Sequence, residues 1–267
     1  MKKVLLIGKH SYIATVFEDY INKKYSNLNN KNVNDKIEVI MVSASNDEWK
    51  QIELKGFDTI IMLAAIVHKK EHKGMETLYK MVNCDLPIEI ARKCKKAGVK
   101  QFVFMSTAAV YGSNSKIVTK DTDPNPDTLY GKYKYEAEKY LSKLQDKNLK
   151  LLILRPPMVY GEGCNGNYKR LVRLAKYTFF LPDIHNKRSF LCVDRLCEYM
   201  EQAILDETNG ILLPKDDFYS DTVEIIRSIR YDRGKRTILV PGTEWIIRLL
   251  MIRLKALRKM FGDWYYE

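Results

Sequence analysis

Residues 4–14 read VLLIGKHSYIA, an apolar run followed by one glycine and the start of an amphipathic stretch. The continuously apolar run Val4–Ile7 predicts a buried parallel strand, and the residues from Tyr12 onward predict a helix. A glycine between such elements allows the tight turn with which a helix N-terminus binds phosphate. Ser11 and Ala14 stand where further glycines are usual, and both are small. We therefore expect a dinucleotide at this turn, with contacts from Gly8, Lys9, His10, Ser11, Tyr12 and Ile13.

The same alternation of strand and helix continues along the chain. Apolar runs predict strands at Ile37–Val42, Thr59–Ala65, Phe102–Met105 and Leu151–Leu154. Helical periodicity predicts helices at Tyr12–Lys24, Met75–Ala97, Leu129–Leu144, Asp194–Leu205, Thr222–Ile229 and Trp245–Met260. This order predicts an α/β fold with a Rossmann-type, doubly wound parallel sheet. We expect residues 1–160 to form the dinucleotide-binding domain and residues 161–267 a smaller substrate-binding part, interleaved with the first.

The chain carries a net charge of +12, from 45 lysines and arginines against 33 aspartates and glutamates. Such an excess suits nucleic acid, an anionic membrane or a polyanionic small molecule. The sequence has no zinc-finger spacing, RNP-like block or Gly-Lys-Ser/Thr loop, and much of the charge lies in Lys-rich stretches such as Lys93–Lys100. We therefore expect no nucleic-acid partner. The five cysteines form no CxxC pair and no stretch is long enough to span a bilayer, so a cytoplasmic protein is predicted.

The segment after the second strand bears on the choice between NAD and NADP. Residues 43–47 read SASND, with no acid directly at the strand end to bind the ribose hydroxyls of NAD. Lys9 and His10 lie near and suit a 2′-phosphate, although a solvated turn explains them equally well. The cofactor is therefore predicted as NAD or NADP. No metal is expected: residues 68–72, HKKEH, match a zinc-peptidase pattern, but the Lys-rich run follows a strand and favours an active-site loop.

Three residues meet the requirements of hydride transfer at a carbinol carbon. Tyr130 and Lys134 are four residues apart, so on a helix they project from one face. The reference pKa of tyrosine is about 10, and a cation one turn away favours the phenolate. Thr107 follows the strand Phe102–Met105, where its hydroxyl can hold a substrate oxygen against Tyr130. We predict Tyr130 as the acid/base, Lys134 as its tuner and Thr107 as the orienting donor.

Collinear motifs cover most of the chain. They are Ile7-Gly8, Asp58–Ala65, Val82-Asn83, Ser106-Thr107, Val110-Tyr111-Gly112, Tyr130-Gly131-x-x-Lys134, Leu154-Arg155-Pro156, Val159-Tyr160-Gly161 and Arg188-Ser189-Phe190. In these motifs the chain resembles the extended short-chain dehydrogenase/reductases, the superfamily of nucleotide-sugar epimerases, dehydratases and reductases. The resemblance implies catalytic roles for Thr107, Tyr130 and Lys134, with Lys134 also on the nicotinamide ribose. It further implies cofactor contacts from Leu63, Ala64, Ala65, Asn83 and Pro156.

The resemblance also implies a nucleotide-sugar substrate, whose diphosphate Asn167 and Arg188 would face while Thr107 holds the sugar. An arginine suits a diphosphate because its guanidinium binds phosphate in bidentate fashion; a surface ion pair is the alternative for Arg188. A homodimer is common in such families. Ala108-Ala109 stands where the dehydratases of the family carry an Asp-Glu pair, so we reject a 4,6-dehydratase.

Three functions stay open. A nucleotide-sugar 4-epimerase of the UDP-hexose type would keep its NAD through the cycle, whereas an NADPH-dependent 4-keto-sugar reductase would release its cofactor. The thinned glycine turn and the missing strand-end acid favour release, and the similarity of Arg155–Asn167 to epimerase-type members favours the epimerase, which we expect. The third is a non-catalytic dinucleotide-sensing protein, against which the intact Thr107, Tyr130 and Lys134 argue.

The C-terminal run Trp245–Met260 mixes Ile, Leu and Met with five basic residues. A helix of this composition can lie on an anionic membrane. The favoured interpretation is a helix that packs its apolar face on the substrate-binding part. Membrane association is therefore not expected.

Overall fold

The computed structural model describes residues 1–26, 36–45, 48–67 and 74–267. The predicted loop at residues 68–72 lies outside the described residues, as do Asn46 and Asp47. In the part of the chain that is described, no helix combines the length and the apolar composition that a bilayer crossing requires.

Strands and helices alternate as the sequence predicts. The strands are β1 (Lys2–Ile7), β2 (Ile37–Val42), β3 (Thr59–Met62), β4 (Gln101–Met105), β5 (Ile117–Val118), β6 (Lys150–Leu154), β7 (Met158–Tyr160), β8 (Phe180–Pro182), β9 (Phe190–Cys192), β10 (Gly210–Leu212), β11 (Ile238–Val240) and β12 (Tyr265–Tyr266). The helices are α1 (Tyr12–Ser26), α2 (Glu48–Gln51), α3 (Glu76–Lys80), α4 (Leu86–Ala97), α5 (Leu129–Ser142), α6 (Asn167–Tyr177), α7 (Val193–Leu205), α8 (Thr222–Tyr231), α9 (Glu244–Arg253) and α10 (Lys255–Phe261).

Six strands form one parallel sheet in the spatial order β2-β1-β3-β4-β6-β10. The predicted Rossmann-type α/β fold is therefore confirmed. At the centre, Ile7 at the end of β1 pairs with Val42 of β2 on one side and with Met62 of β3 on the other. The strand order changes direction at this point, which opens a crevice beyond the carboxyl ends of the strands. A ligand site is expected here.

Helices cover both faces of this sheet, which explains why its strands are continuously apolar. One face is packed by α1 and α7, through side chains that include Phe17, Ile21, Leu196 and Met200. The other is packed by α4 and α5, through side chains that include Ile88, Ile90, Ala137 and Leu141. Both α7 and β10 come from beyond residue 160, so the C-terminal half adds elements to the large sheet unit. The division into two domains stays a prediction.

Two predicted helices differ from the structure. The stretch Met75–Ala97 is helical but contains a π-helical turn, Met81–Asp85, between α3 and α4; such turns interrupt an α-helix at special sites. The single helix predicted over Trp245–Met260 is wrong, because the extended backbone of Leu254 (φ −104°, ψ 99°) separates α9 from α10. The break turns Phe261 into the apolar cluster that α9 also contacts.

Candidate functional site

The turn after β1 has the shape that a phosphate requires. Gly8 has a φ of 122°, in the region that glycine favours. A β-carbon on Gly8 would lie 2.7 Å from the backbone nitrogen of Ala64. Gly8 N donates to the carbonyl of Val42 at 2.9 Å, and Ala64 N donates to the carbonyl of Ile7 at 2.9 Å. The turn and the segment Leu63–Ala65 are therefore locked together at the crevice, beside the N-terminus of α1.

Of the other residues of this turn that were predicted to contact the cofactor, some are open to solvent and others form hydrogen bonds that hold the turn in place. Ser11 N donates to the carbonyl of Gly8 at 2.8 Å, so Ser11 closes the turn. His10 is exposed, and Ile13 is half-buried in the first turn of α1. The Tyr12 hydroxyl donates to the carbonyl of Glu162 at 2.8 Å. Tyr12 therefore ties the turn to the loop that follows β7, a contact that spacing along the sequence does not reveal.

Lys9 has an acidic partner. Its Nζ lies 3.1 Å from Oε2 of Glu48, in the first turn of α2. The backbone nitrogen of Ser43, directly after β2, donates to the same oxygen at 3.1 Å. The sequence places no acid directly at this strand end, and the fold supplies one from α2. A 2′-phosphate beside Glu48 would meet a like charge, so the carboxylate at the end of β2 favours the ribose hydroxyls of NAD over the 2′-phosphate of NADP.

Thr107 and Tyr130 meet beyond the carboxyl end of β4. Thr107 begins a 3₁₀ turn (Ala108–Tyr111), and its Oγ1 accepts a hydrogen bond from Ala109 N at 3.1 Å. Tyr130 lies in the first turn of α5, and its side chain is hydrogen-bonded to Thr107. Burial raises the pKa of Tyr130 to about 12, and the Thr107 hydrogen bond opposes this rise. The phenol in this structure therefore carries its proton at neutral pH.

Gly131 allows α5 to come this close to the 3₁₀ turn. A β-carbon on Gly131 would lie 2.5 Å from the carbonyl oxygen of Ala109. Thr128 caps the N-terminus of the helix, and its side chain accepts a hydrogen bond from Gly131 N at 3.1 Å. The cap and the missing side chain together bring Tyr130 to Thr107, which gives the glycine of the Tyr-Gly-x-x-Lys motif a physical reason.

Lys134 lies one helical turn beyond Tyr130 and is buried, with 1% of its surface exposed. Its Nζ donates to the carbonyl of Met105 at 2.8 Å and lies 4.4 Å from the centre of the Phe104 ring. Burial lowers the pKa of Lys134 to about 7, and Glu138 opposes this shift. The three predicted catalytic residues thus converge on the end of β4. That Lys134 tunes Tyr130 stays a prediction, because here the lysine binds the strand end.

Beneath these residues lies a buried charge pair that was not predicted from the sequence. Glu138 Oε2 lies 2.5 Å from Nη2 of Arg155, and Oε1 lies 3.1 Å from Nε of the same guanidinium. Ser106 Oγ also donates to Glu138. The signal that points to Glu138 is its spacing, because Tyr130, Lys134 and Glu138 follow each other at intervals of four on one helix face.

The C-terminal strand β12 completes this buried network. The Tyr266 hydroxyl donates to the carbonyl of Arg155 at 2.6 Å. The Tyr111 hydroxyl accepts from Arg155 Nη1 at 2.7 Å, and the rings of Tyr111 and Tyr266 pack edge to face. Since Tyr111 ends the 3₁₀ turn that Thr107 begins, the network fixes the backbone behind the site.

Asn83 and Pro156, predicted as cofactor contacts, hold neighbouring backbone in this structure. Asn83 on the π-helical turn is fully buried; its Oδ1 accepts from Ile66 N at 2.9 Å and its Nδ2 donates to the Ile66 carbonyl at 3.0 Å. Asn83 thereby fixes the segment after β3. The carbonyl of Pro156 accepts from Ala108 N at 2.9 Å and fixes the 3₁₀ turn. Direct contact of either residue with a cofactor stays a prediction.

The two residues predicted to face a diphosphate have different surroundings. Asn167 is exposed at the N-terminus of α6. Arg188 is half-buried, and its Nη1 donates to the carbonyls of Lys259 and Gly262, both at 3.0 Å. Arg188 therefore caps the C-terminal end of α10, a role that the sequence does not indicate. Binding of a diphosphate by Asn167 and Arg188 stays a prediction.

Known proteins resemble this chain in sequence and fold. A UDP-glucose 4-epimerase of Vibrio cholerae is 30% identical over 268 residues, which cover 93% of this chain and 81% of the relative. An N-acetyl-alpha-D-glucosaminyl-diphospho-ditrans,octacis-undecaprenol 4-epimerase of Escherichia coli O157:H7 is 28% identical and covers 78% of this chain and 64% of the relative. The crystal structure of UDP-glucuronic acid 4-epimerase from Bacillus cereus with NAD shares the fold, with a TM-score of 0.70, 20% identity and coverage of 89% and 87%. The family model for the NAD dependent epimerase/dehydratase family matches residues 5–210, and the chain belongs to this family.

Proposed function

We propose that the protein is an NAD-dependent 4-epimerase that acts on a sugar linked to a diphosphate carrier, of the UDP-hexose type. The observation that carries the proposal is the hydrogen bond between Thr107 and Tyr130, with Lys134 one helical turn away. The names of two relatives support C4 as the reacting carbon. They differ in the carrier, UDP in one and undecaprenol in the other, but share 4-epimerase activity on a diphosphate-linked sugar.

The residues at the crevice fit a nicotinamide dinucleotide. The turn at Gly8 leaves no room for a β-carbon and ends at the N-terminus of α1, so it would hold the pyrophosphate. Glu48 would take the ribose hydroxyls beside β2, and Lys134 the nicotinamide ribose. When bound, the cofactor supplies an acceptor and then a donor of hydride at C4 of the sugar.

The side chains of the protein handle the proton of this reaction. Thr107 Oγ1 would orient the C4 hydroxyl of the sugar toward Tyr130. The phenolate of Tyr130 takes the hydroxyl proton while C4 becomes a carbonyl, and it returns the proton when the carbonyl is reduced from the other face. Because burial holds the pKa of Tyr130 at about 12, a cation must approach before the phenol acts as a base. The Lys134 ammonium and the oxidised nicotinamide are the cations of this mechanism.

A diphosphate would lie on the side of the smaller part of the protein. Asn167 offers the N-terminus of α6, and Arg188 offers a guanidinium near the end of α10. Both groups bind phosphate oxygens well. We propose that they face the diphosphate of the substrate.

A 4-keto-sugar reductase is the second candidate. The glycine turn with Ser11 and Ala14 in place of further glycines favours it, because looser binding suits cofactor exchange. The ion pair of Glu48 with Lys9 argues against it, because it occupies the cation that would meet the 2′-phosphate of NADPH. A non-catalytic dinucleotide sensor would have no need of the Thr107–Tyr130 hydrogen bond.

The test begins with denaturation of the purified protein and an assay of the released nicotinamide cofactor. We expect NAD in near-stoichiometric amount, and interconversion of UDP-glucose and UDP-galactose by the native protein. Tyr130→Phe should lower turnover by roughly 10²–10⁴-fold and leave the NAD content unchanged. Tyr140→Phe, an exposed tyrosine of the same helix, is the matched control. A protein without cofactor that oxidises NADPH with a 4-keto-sugar nucleotide would replace the epimerase by the reductase, and full activity of Tyr130→Phe would refute the mechanism.

A further inference from the structure

The outward side of α9 is apolar. Trp245, Leu249 and Ile252 follow one another at the spacing of a single helix face, and they are 67%, 59% and 74% exposed. On the other side of the helix, Ile247 and Met251 pack against the apolar cluster of the smaller part, as the sequence predicts. The helix therefore buries one apolar side and presents a second one to solvent.

The exposed apolar surface extends beyond this stripe. Ile246 and Leu250 on the flank of α9, and Leu254 after its end, are 41%, 40% and 48% exposed. We call these six side chains the α9 face: Trp245, Ile246, Leu249, Leu250, Ile252 and Leu254. Single exposed apolar residues are normal on a soluble protein, but a contiguous group on one helix marks a docking surface.

Cations border the α9 face. Arg253 lies at the end of α9, between Ile252 and Leu254 of the face, and Arg258 lies on α10, the next helix along the chain; both are exposed. Within the part of the chain that the structure describes, neither has a carboxylate within the 4.0 Å of an ion pair. Arg248 differs, because its guanidinium lies 2.6 Å from Glu244. The border of the face is therefore positive, like the chain as a whole at +12.

We propose that the α9 face docks on the surface of an anionic lipid bilayer. An apolar helix side bordered by arginines matches that environment, because the apolar side chains enter the headgroup boundary while the cations meet lipid phosphates. The indole of Trp245 also suits this depth. A second copy of the chain is a poorer partner, because the same face of that copy offers Arg253 no free carboxylate: Glu244, the one acid of α9, is already paired with Arg248. The proposal goes beyond the proposed function and does not depend on it.

The experiment measures binding of the full chain to sedimented vesicles of phosphatidylcholine, with and without phosphatidylglycerol. We expect binding to the anionic vesicles at low salt and a loss of roughly 10-fold or more at about 0.5 M salt, where charges are screened within a few ångströms. The emission of Trp245 should shift to the blue on binding. Trp245→Phe should remove that shift, because Trp49 is buried and Trp264 is half-buried against the apolar cluster that contains Tyr111 and Tyr266.

Variants locate the contact. Leu249→Ser/Ile252→Ser should weaken vesicle binding by roughly 100-fold and leave the melting temperature and the cofactor content unchanged, because both side chains are exposed. Phe218→Ser, at another exposed apolar residue, is the matched control and should bind as the parent does. Absence of vesicle binding at low salt overturns the proposal, and so does undiminished binding by the double variant. A dimer that only the double variant dissociates would overturn it too, since the face would then join two copies of the chain.

Discussion

Replacement of Glu138 by glutamine should lower the free energy of unfolding by about 3–5 kcal/mol. Glu138 and Arg155 form an ion pair whose side chains are 3% and 6% exposed. Glutamine keeps the shape of the side chain but removes its charge. The guanidinium of Arg155 would then stay buried without its counter-ion, which costs more than the loss of a surface ion pair.

The size of the effect follows from the contacts. Two hydrogen bonds join the carboxylate to the guanidinium, at 2.5 and 3.1 Å, and a hydrogen bond to a charged group contributes about 1.5–3 kcal/mol. The pKa of Arg155 is raised although burial lowers it, because Glu138 outweighs the burial. In a chain of this length 1 kcal/mol shifts the melting temperature by about 2–4 °C. Glu138→Gln should therefore melt roughly 6–20 °C below the parent.

The assay is urea unfolding followed by tryptophan fluorescence at constant cofactor content, because bound ligand would add its own stability. Glu136→Gln, at a half-buried glutamate of the same helix, serves as control and should stay within about 0.5 kcal/mol of the parent. The double variant Glu138→Leu/Arg155→Met should recover most of the loss, because an apolar pair replaces the buried charges. A loss below about 1 kcal/mol in Glu138→Gln, or a double variant less stable than the single one, would refute the reasoning.

Three further predictions concern the crevice. Gly131→Ala should lower kcat/KM by roughly 100-fold in a steady-state assay despite the better helix propensity of alanine, because its β-carbon would meet the Ala109 carbonyl at 2.5 Å; activity equal to the parent would contradict this. Burial lowers the folded-state pKa of Lys134 to about 7, below the unfolded value of about 10.4, so between these pH values the unfolded chain binds more protons and the free energy of unfolding rises with pH. Relative to Lys134→Met, the parent should therefore gain about 2 kcal/mol of stability between pH 7 and pH 9 in urea titrations. A stability difference between the two proteins that does not change with pH would contradict the buried lysine. Glu48→Gln should raise the ratio of NADPH to NADH affinity by roughly 5–10-fold in fluorescence titrations, because Lys9 would lose its partner at 3.1 Å, and an unchanged ratio would remove the acid from cofactor selection.

The sheet could be predicted because its information is local. A strand that is covered on both faces is apolar at every position, as in Val4–Ile7, so composition alone locates it. The convergence of Thr107 and Tyr130 was predictable for a related reason, because parallel strands end at one edge of the sheet and the helix after them begins there. Both features are set by the strands and the helices that follow them, and not by the path that a loop takes.

The contacts that were not predicted from the sequence join residues that are far apart in the chain, and no local sequence pattern indicates them. Glu48 contacts Lys9 across 39 residues, and Arg188 contacts the carbonyl of Gly262 across 74 residues. The break at Leu254 has the same origin, because Phe261 is drawn into the core of the smaller part and not because of a residue that ends helices. Such contacts are decided by tertiary packing, which overrides propensity.

The spacing of Tyr130 and Lys134 and the burial of both side chains have opposite effects on the pKa of the tyrosine. The four-residue interval between Tyr130 and Lys134 predicts a cation that lowers the pKa of the phenol, and the fold does place both groups on the same strand end. Burial favours the neutral form of each group, because it raises the pKa of the tyrosine to about 12 and lowers the pKa of the lysine to about 7. At neutral pH the phenol of the assembled pair is therefore neutral and the lysine only partly charged. In the proposed mechanism, Lys134 alone is then too weak a cation, and a bound cationic group must help to stabilise the phenolate before the proton can leave the sugar. Proton abstraction at this site should consequently depend on an oxidised cofactor already being in place, which is the order of events that an internal hydride cycle needs.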